Sequence, residues 1–152
     1  MKTLFIALIA FPLLISCKST QNTSNKSSTE QMRTQQASEV FVETNKWELT
    51  RFNGQSPAEV GFADRTPHLV INMQESKVGG FSGCNSFGGK VVIDESKITF
   101  SQVFSTKMFC EGIPEPDFFQ LLDNTLAYSI TNNTLTLKKD SKVVMEFKLV
   151  SE

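Results

Sequence analysis

The 152-residue chain contains few of the side chains from which catalytic and metal centres are built. It has one histidine and three cysteines, and no two cysteines stand in the CxxC spacing of redox and zinc sites. His68 has no nucleophile near it in sequence, and we interpret it as a structural or surface residue. We therefore predict no catalytic residue, no metal ligand and no cofactor, and we rank an enzyme last among the function classes.

An excess of either charge is also missing, because 15 basic residues face 16 acidic ones. Nucleic-acid-binding domains usually carry a basic surplus, so we expect no nucleic-acid partner. The glycine-rich stretch around Cys84 matches neither a phosphate loop nor a dinucleotide fingerprint.

The apolar run at residues 4–15 is shorter than the roughly 20 residues that a membrane-spanning helix needs. With Lys2 before it, this run is typical of a signal peptide. Leu14-Ile15-Ser16-Cys17 then resembles a lipobox, which implies cleavage before Cys17, a diacylglycerol thioether on its sulfur and acylation, as by palmitate, of its amine. The alternative is an ordinary signal peptide with a chance cysteine. We predict a lipoprotein signal peptide at residues 1–17 and a protein held to the membrane by lipid.

The next segment, residues 18–40, is rich in Ser, Thr, Gln and Asn and has no aromatic residue. Such a segment buries too little apolar surface to offset its ordering entropy, so we predict a disordered tether. It would hold the following domain, residues 41–152, on the order of 25 Å from the bilayer.

Short alternating segments dominate residues 41–152. Residues 46–52 alternate with a period of two, placing Trp47, Leu49 and Arg51 on one face. Further strands are predicted at 68–73, 77–82, 90–93, 97–100, 103–105, 128–131, 134–138 and 143–150. One helix is predicted after Pro114, with an apolar stripe of Phe118, Leu121, Leu122 and Leu126. The fold class is α+β, mainly β: a small antiparallel partly open barrel or curled sheet of about eight strands packed on one helix.

Two motifs carry a family resemblance: Gly83-Cys84-Asn85, followed by Phe87 and Gly89, and Ser105-Thr106-Lys107-Met108 with Cys110. With Trp47-Glu48-Leu49 and the later helix and strands, they resemble the META (HslJ-like) domain family over residues 47–149. The family motif residues are Gly83, Cys84, Asn85, Thr106, Met108 and Cys110. The chain departs from the family at Phe109, where a small residue is usual.

The resemblance implies a partly open barrel with the helix plugging one side. It also implies a role in the bacterial envelope, since the family is linked to heat response and novobiocin tolerance. We expect a lipid-anchored stress-response protein of the outer membrane, facing the periplasm or the cell surface. Its partners would be the membrane, through Cys17, and an envelope protein or an apolar ligand.

The three cysteines divide into one candidate lipidation site and one candidate disulfide pair. If lipidation uses Cys17, then Cys84 and Cys110 remain as an even pair in an exported protein, where disulfides persist. The alternative is two buried free thiols. The predicted hairpin between them returns its ends to within disulfide range, and Asn85 and Thr106 would then hydrogen-bond the two loops together.

The 13 phenylalanines allow two interpretations. They fill a small core, or some of them line an apolar cavity. The core set would be Phe62, Phe81, Phe87, Phe100, Phe104, Phe118, Phe119 and Phe147. The first favours a non-enzymatic binding or assembly module, and the second a carrier of a lipid or other apolar ligand.

Overall fold

A computed structural model describes residues 45–62 and 65–150 of the chain. Cys17, the predicted signal peptide at 1–17 and the predicted tether at 18–40 lie outside these residues. The described part holds eight strands and one helix. The strands are β1 Asn45–Phe52, β2 His68–Asn72, β3 Lys77–Phe81, β4 Ser86–Asp94, β5 Lys97–Ser105, β6 Thr125–Thr131, β7 Thr134–Lys139 and β8 Lys142–Val150, with helix α1 Glu115–Leu122 between β5 and β6.

Every strand pairs antiparallel with the next, and β8 pairs with β1, so the sheet closes into a ring. The predicted class, α+β and mainly β, is confirmed. The thinnest seam joins β5 to β6, where only residues 97–99 find partners. Helix α1 connects these two strands along the chain.

The interior of the ring is occupied by one continuous cluster of apolar side chains. Its largest fully buried members are Trp47, Phe62, Phe118, Phe147 and Leu49. Helix α1 contributes Phe118 and Leu122 to this cluster, and Phe118 contacts the rings of Phe52, Phe62, Phe87 and Phe119 at centroid distances of 5.9–6.5 Å. This packing favours the filled core over the ligand cavity.

The helix ends earlier than its apolar stripe predicted. It stops at Leu122, and Leu126 belongs to β6, where it is fully buried. Asn124 explains the stop, because its side-chain amide donates to the carbonyl of Gln120 and turns the chain. Leu126 reaches the core by strand alternation instead of helical spacing.

Irregularities in β1 and β5 change which side chains of these strands point into the core. In β1 the register with β8 shifts between Leu49 and Arg51, so Phe52 points inward and Arg51 is exposed. In β5 the chain continues from Lys97 to Ser105 as one strand, with Gln102 at φ 52° as an extra residue. An extra residue reverses the inside–outside alternation beyond it.

The irregularity in β5 moves Phe104 out of the core. It was predicted in the core, but 71% of it is exposed. The side chain lies outside the ring over Gly88 of β4, where a Cβ would come within 2.8 Å of the Phe104 ring. Phe81 is also only half-buried, whereas the other six phenylalanines of the predicted set are buried or packed against the core.

Phe118 and Phe104 make a matched pair of tests for this assignment. Phe118→Ala removes the ring at the centre of the cluster and is expected to cost about 3–5 kcal/mol in unfolding free energy. Phe104→Ala should cost less than about 1 kcal/mol, because its ring is mostly in water. Urea unfolding of both variants measures the difference. Equal losses would contradict the placement of Phe104 outside the core.

Candidate functional site

The two motif segments meet at one end of the ring. Gly83, Cys84 and Asn85 form the turn between β3 and β4, and Thr106 to Cys110 leave the end of β5. The backbone N–H of Thr106 donates to the carbonyl of Ser86 at 3.0 Å, which keeps the segments side by side. The start of α1 lies against both of them, through Glu115.

Local backbone demands explain the turn sequence. Gly83 has φ 96°, and a Cβ there would lie 2.6 Å from the ring of Phe62. Only glycine combines that conformation with so close an approach. The turn is then held by Ser82, whose N–H donates to the carbonyl of Asn85 and whose hydroxyl oxygen accepts the N–H of Asn85, both at 2.9 Å.

The side-chain amide of Asn85 is buried and makes four hydrogen bonds. Its Oδ1 accepts from the Thr106 hydroxyl at 2.7 Å and from the Met108 N–H at 2.8 Å. Its Nδ2 donates to the Met108 carbonyl at 3.1 Å and to Glu115 Oε2 at 2.9 Å. The predicted bridge between Asn85 and Thr106 is therefore present. A primary amide offers two donors and two acceptor sites, so this one is saturated.

Glu115 ties the helix to the same turn. Its Oε1 accepts from the Asn85 N–H at 3.1 Å and from the Ser82 hydroxyl, while Oε2 takes the Asn85 amide. The ion pairs among the described residues, Arg51–Glu146 and Lys77–Glu75, do not involve it. Charge-assisted hydrogen bonds therefore replace a salt bridge in stabilising this half-buried carboxylate.

The predicted disulfide is present. Cys84 and Cys110 are joined with Cα atoms 5.8 Å apart, and Cys84 is buried. Asn85 holds the beginning of the loop after β5, at Thr106 and Met108, and the disulfide holds its end at Cys110. All six family motif residues thus lie in one assembly.

The polar groups of this assembly hydrogen-bond to one another, as expected of a structural element. We call the hydrogen bonds of Asn85 with Thr106, Met108 and Glu115 the clamp. Ser82 and Asn85 are the two buried polar residues among those described, and both are hydrogen-bonded.

The other candidate residues lie away from this assembly. The His68 ring lies near the Phe81 ring at a centroid distance of 6.2 Å, and burial, together with the charge of Lys46, lowers the pKa of His68. Within the described ranges no group of three or more His, Cys, Asp or Glu could hold a metal ion.

The clamp presents an apolar surface to solvent. Met108 is 54% exposed and Phe109 is 92% exposed, although the backbone of Met108 is fixed at both its N–H and its carbonyl. Exposed apolar side chains that adjoin one another are candidates for an interaction site. We call Met108 and Phe109 the motif surface.

Sequence reasoning missed Ser82 and Glu115. Glu115 lies in the first turn of the helix predicted after Pro114, but nothing in the sequence places it beside Asn85, 30 residues earlier. The exposure of Phe109 also had no clear signal beyond its departure from the family pattern.

The chain is similar to known proteins in its sequence pattern and in its fold. A family model described as META domain matches residues 40–152. No curated protein matches the chain. An NMR structure of a protein from Burkholderia xenovorans is 18% identical with a TM-score of 0.56, over 93% of this chain and 100% of that one. A crystal structure of a DUF4847 family protein from Bacteroides vulgatus ATCC 8482 is 14% identical with a TM-score of 0.54, over 74% and 96%. At such identities the structural likeness shows the fold alone.

Replacing Asn85 tests the clamp. Asn85→Ala removes four hydrogen bonds at a buried position and should cost about 2–4 kcal/mol in unfolding free energy. Asn72→Ala is the matched control, since Asn72 is only half-buried and its side chain accepts one hydrogen bond, from the Glu75 N–H, so the change should cost less than about 1 kcal/mol. Urea denaturation compares the two. Similar costs would refute a special role for Asn85.

The disulfide has its own expected contribution. A bond between residues 26 apart should stabilise by about 3–4 kcal/mol on the chain-entropy estimate. The double variant Cys84→Ala with Cys110→Ala should therefore melt substantially lower in calorimetry. Thiol counting under denaturing, non-reducing conditions checks the bond itself, and two free thiols in freshly exported protein would contradict it.

Proposed function

Because the chain belongs to the META domain family, we propose that it is a lipid-anchored protein of the bacterial envelope whose domain is a non-enzymatic binding module. Its role would be tied to envelope stress tolerance. The single observation that carries the binding role is the motif surface, which stays in water on a loop fixed by Asn85 and the disulfide.

The sequence before the domain supports the anchor. Leu14-Ile15-Ser16-Cys17 follows an uncharged apolar run, and the segment at 18–40 would act as the tether. Among the residues that the structure describes, no helix has the length and apolar character to cross a membrane. A lipid on Cys17 would supply membrane attachment without one.

Strand directions support a surface that faces away from the tether. β1 begins at Asn45, which pairs with Ile71 beside the β2–β3 turn, at the end of the ring where β3 starts. The motif turn follows Phe81, where β3 finishes. The tether would therefore enter at the end of the ring opposite to the motif surface, leaving that surface free for an envelope protein partner.

Energetics favour a partner for this surface. Fully burying a side chain such as Met or Phe contributes roughly 1.5–3 kcal/mol. A loop already fixed before binding loses little conformational entropy when it docks. Docking of the motif surface on another envelope protein would use both advantages.

The other two function classes have weaker support. A carrier of a lipid or apolar ligand would need room inside the ring, where one packed cluster lies instead. The META family is not a known enzyme family, and the buried polar groups of the clamp bond to one another.

The anchor is tested by Cys17→Ser. The variant should leave the membrane fraction or remain unprocessed, because serine cannot form the thioether. Mass spectrometry of the wild type should find a diacylated or triacylated Cys17 as the first residue. Cleavage at this point together with membrane fractionation of the Cys17→Ser variant would overturn the anchor and leave the binding role untouched.

The motif surface is tested by site-specific photo-crosslinking in intact cells. A benzoylphenylalanine in place of Phe109 should give a discrete adduct with one envelope protein. The same probe in place of Val92, which is 55% exposed on β4, is the control. The adduct should weaken when Met108→Ser is added. Equal labelling from both positions would contradict docking at the motif surface.

A further inference from the structure

A separate surface cleft lies beside the motif surface, between the end of β5 and the start of β4. It is shallow and open to solvent, has a volume of about 340 Å³, and is lined mostly by apolar surface from Ser86, Phe87, Gly88, Phe104, Ser105 and Thr106. Small-molecule sites usually start at about 300 Å³. Met108 and Phe109 do not line it, so the cleft is distinct from the proposed docking site.

One wall of the cleft is the ring of Phe104, which packs over Gly88. Phe104 is 71% exposed, and its ring tip lies where a side chain at position 88 would stand. The bulge at Gln102 is what turns this ring out of the core. An aromatic face held in this way offers an apolar platform for a second flat or ring-shaped group.

Hydroxyl groups form the polar part of the lining. Within the described residues, the side chains of Ser86 and Ser105 make no hydrogen bond to the protein, so each can both donate and accept. The Thr106 hydroxyl donates its proton to Asn85 Oδ1 at 2.7 Å, so it can only accept from a ligand. Asn85 thereby fixes one wall of the cleft as well as the loop.

The lining excludes charged ligands. None of its six residues carries a charge, so neither a phosphate nor an ammonium group would find a counter-ion in the lining. A purely apolar ligand would leave the serine hydroxyls unsatisfied. A neutral ring that carries C–H groups on its faces and hydroxyls around its rim matches both features.

We propose that this cleft binds a neutral sugar residue. The C–H face of the sugar lies on the Phe104 ring, and the hydroxyls of the sugar form hydrogen bonds with Ser86, Ser105 and Thr106. The inference goes beyond the proposed binding function, because the cleft is a second site apart from the motif surface. It does not depend on the lipid anchor or on the motif surface.

The test is a binding titration of the purified protein. Saturation-transfer NMR is run with four neutral probes, namely chitotriose, maltotriose, mannotriose and lactose. At least one should bind, and Phe104→Ala should weaken it about tenfold or more. Ser105→Ala should weaken it severalfold while leaving stability unchanged.

Two controls make the result specific. Phe109→Ala removes a ring that is even more exposed, 92% against 71% for Phe104, but lies outside the cleft, so it should leave sugar binding unchanged. Because Phe104→Ala is expected to keep the fold, melting curves recorded beside the titration separate lost binding from unfolding. Phe109→Ala should in turn abolish partner docking, so the two functions fail independently.

Three outcomes would overturn the inference. They are no binding of any probe at millimolar concentration, binding that survives Phe104→Ala, and binding lost equally in Phe109→Ala.

Discussion

The saturated amide of Asn85 is the interaction on which this end of the molecule depends. It joins the β3–β4 turn to the loop after β5 and to the first residue of α1, and its partners there lie 21–30 residues after Asn85 along the chain. Every donor and acceptor of the amide has a partner inside the protein, so any rearrangement would strand at least one buried polar group. The three segments are therefore fixed relative to one another by a single side chain.

The exposed features of the molecule follow from that constraint. A loop with free ends would fold Met108 and Phe109 back against the ring, because apolar side chains gain by leaving water. The clamp and the disulfide hold the backbone so that Phe109 stays 92% exposed. The proposed binding role rests on this combination of exposed apolar side chains and a fixed backbone.

Much of the fold was predictable because its strands alternate clearly. The alternating strand predicted at 68–73 is present as β2, with Leu69 and Ile71 buried, and the strand predicted at 134–138 is present as β7. Two of the errors share one physical origin: a single extra residue in a strand reverses which face follows it. Arg51 and Phe104 were placed inward for that reason, and periodicity contains no sign of a bulge until a pairing partner is known.

The site was predictable only where covalent chemistry or the family pattern marked it. The pairing of Cys84 with Cys110 and the bond between Asn85 and Thr106 could be expected from the hairpin between them. The contacts of Glu115 and Ser82 could not, because they depend on where a helix docks across the ring. The sugar cleft likewise exists only once the bulge has turned Phe104 outward.

Hydrogen exchange at the Met108 amide tests the central claim most directly. This N–H belongs to an exposed residue, yet it donates to Asn85 Oδ1 at 2.8 Å. The account predicts slow exchange in the wild type, retained after reduction of the disulfide and lost in Asn85→Ala. Exchange at the rate of an unstructured loop in the wild type would contradict it.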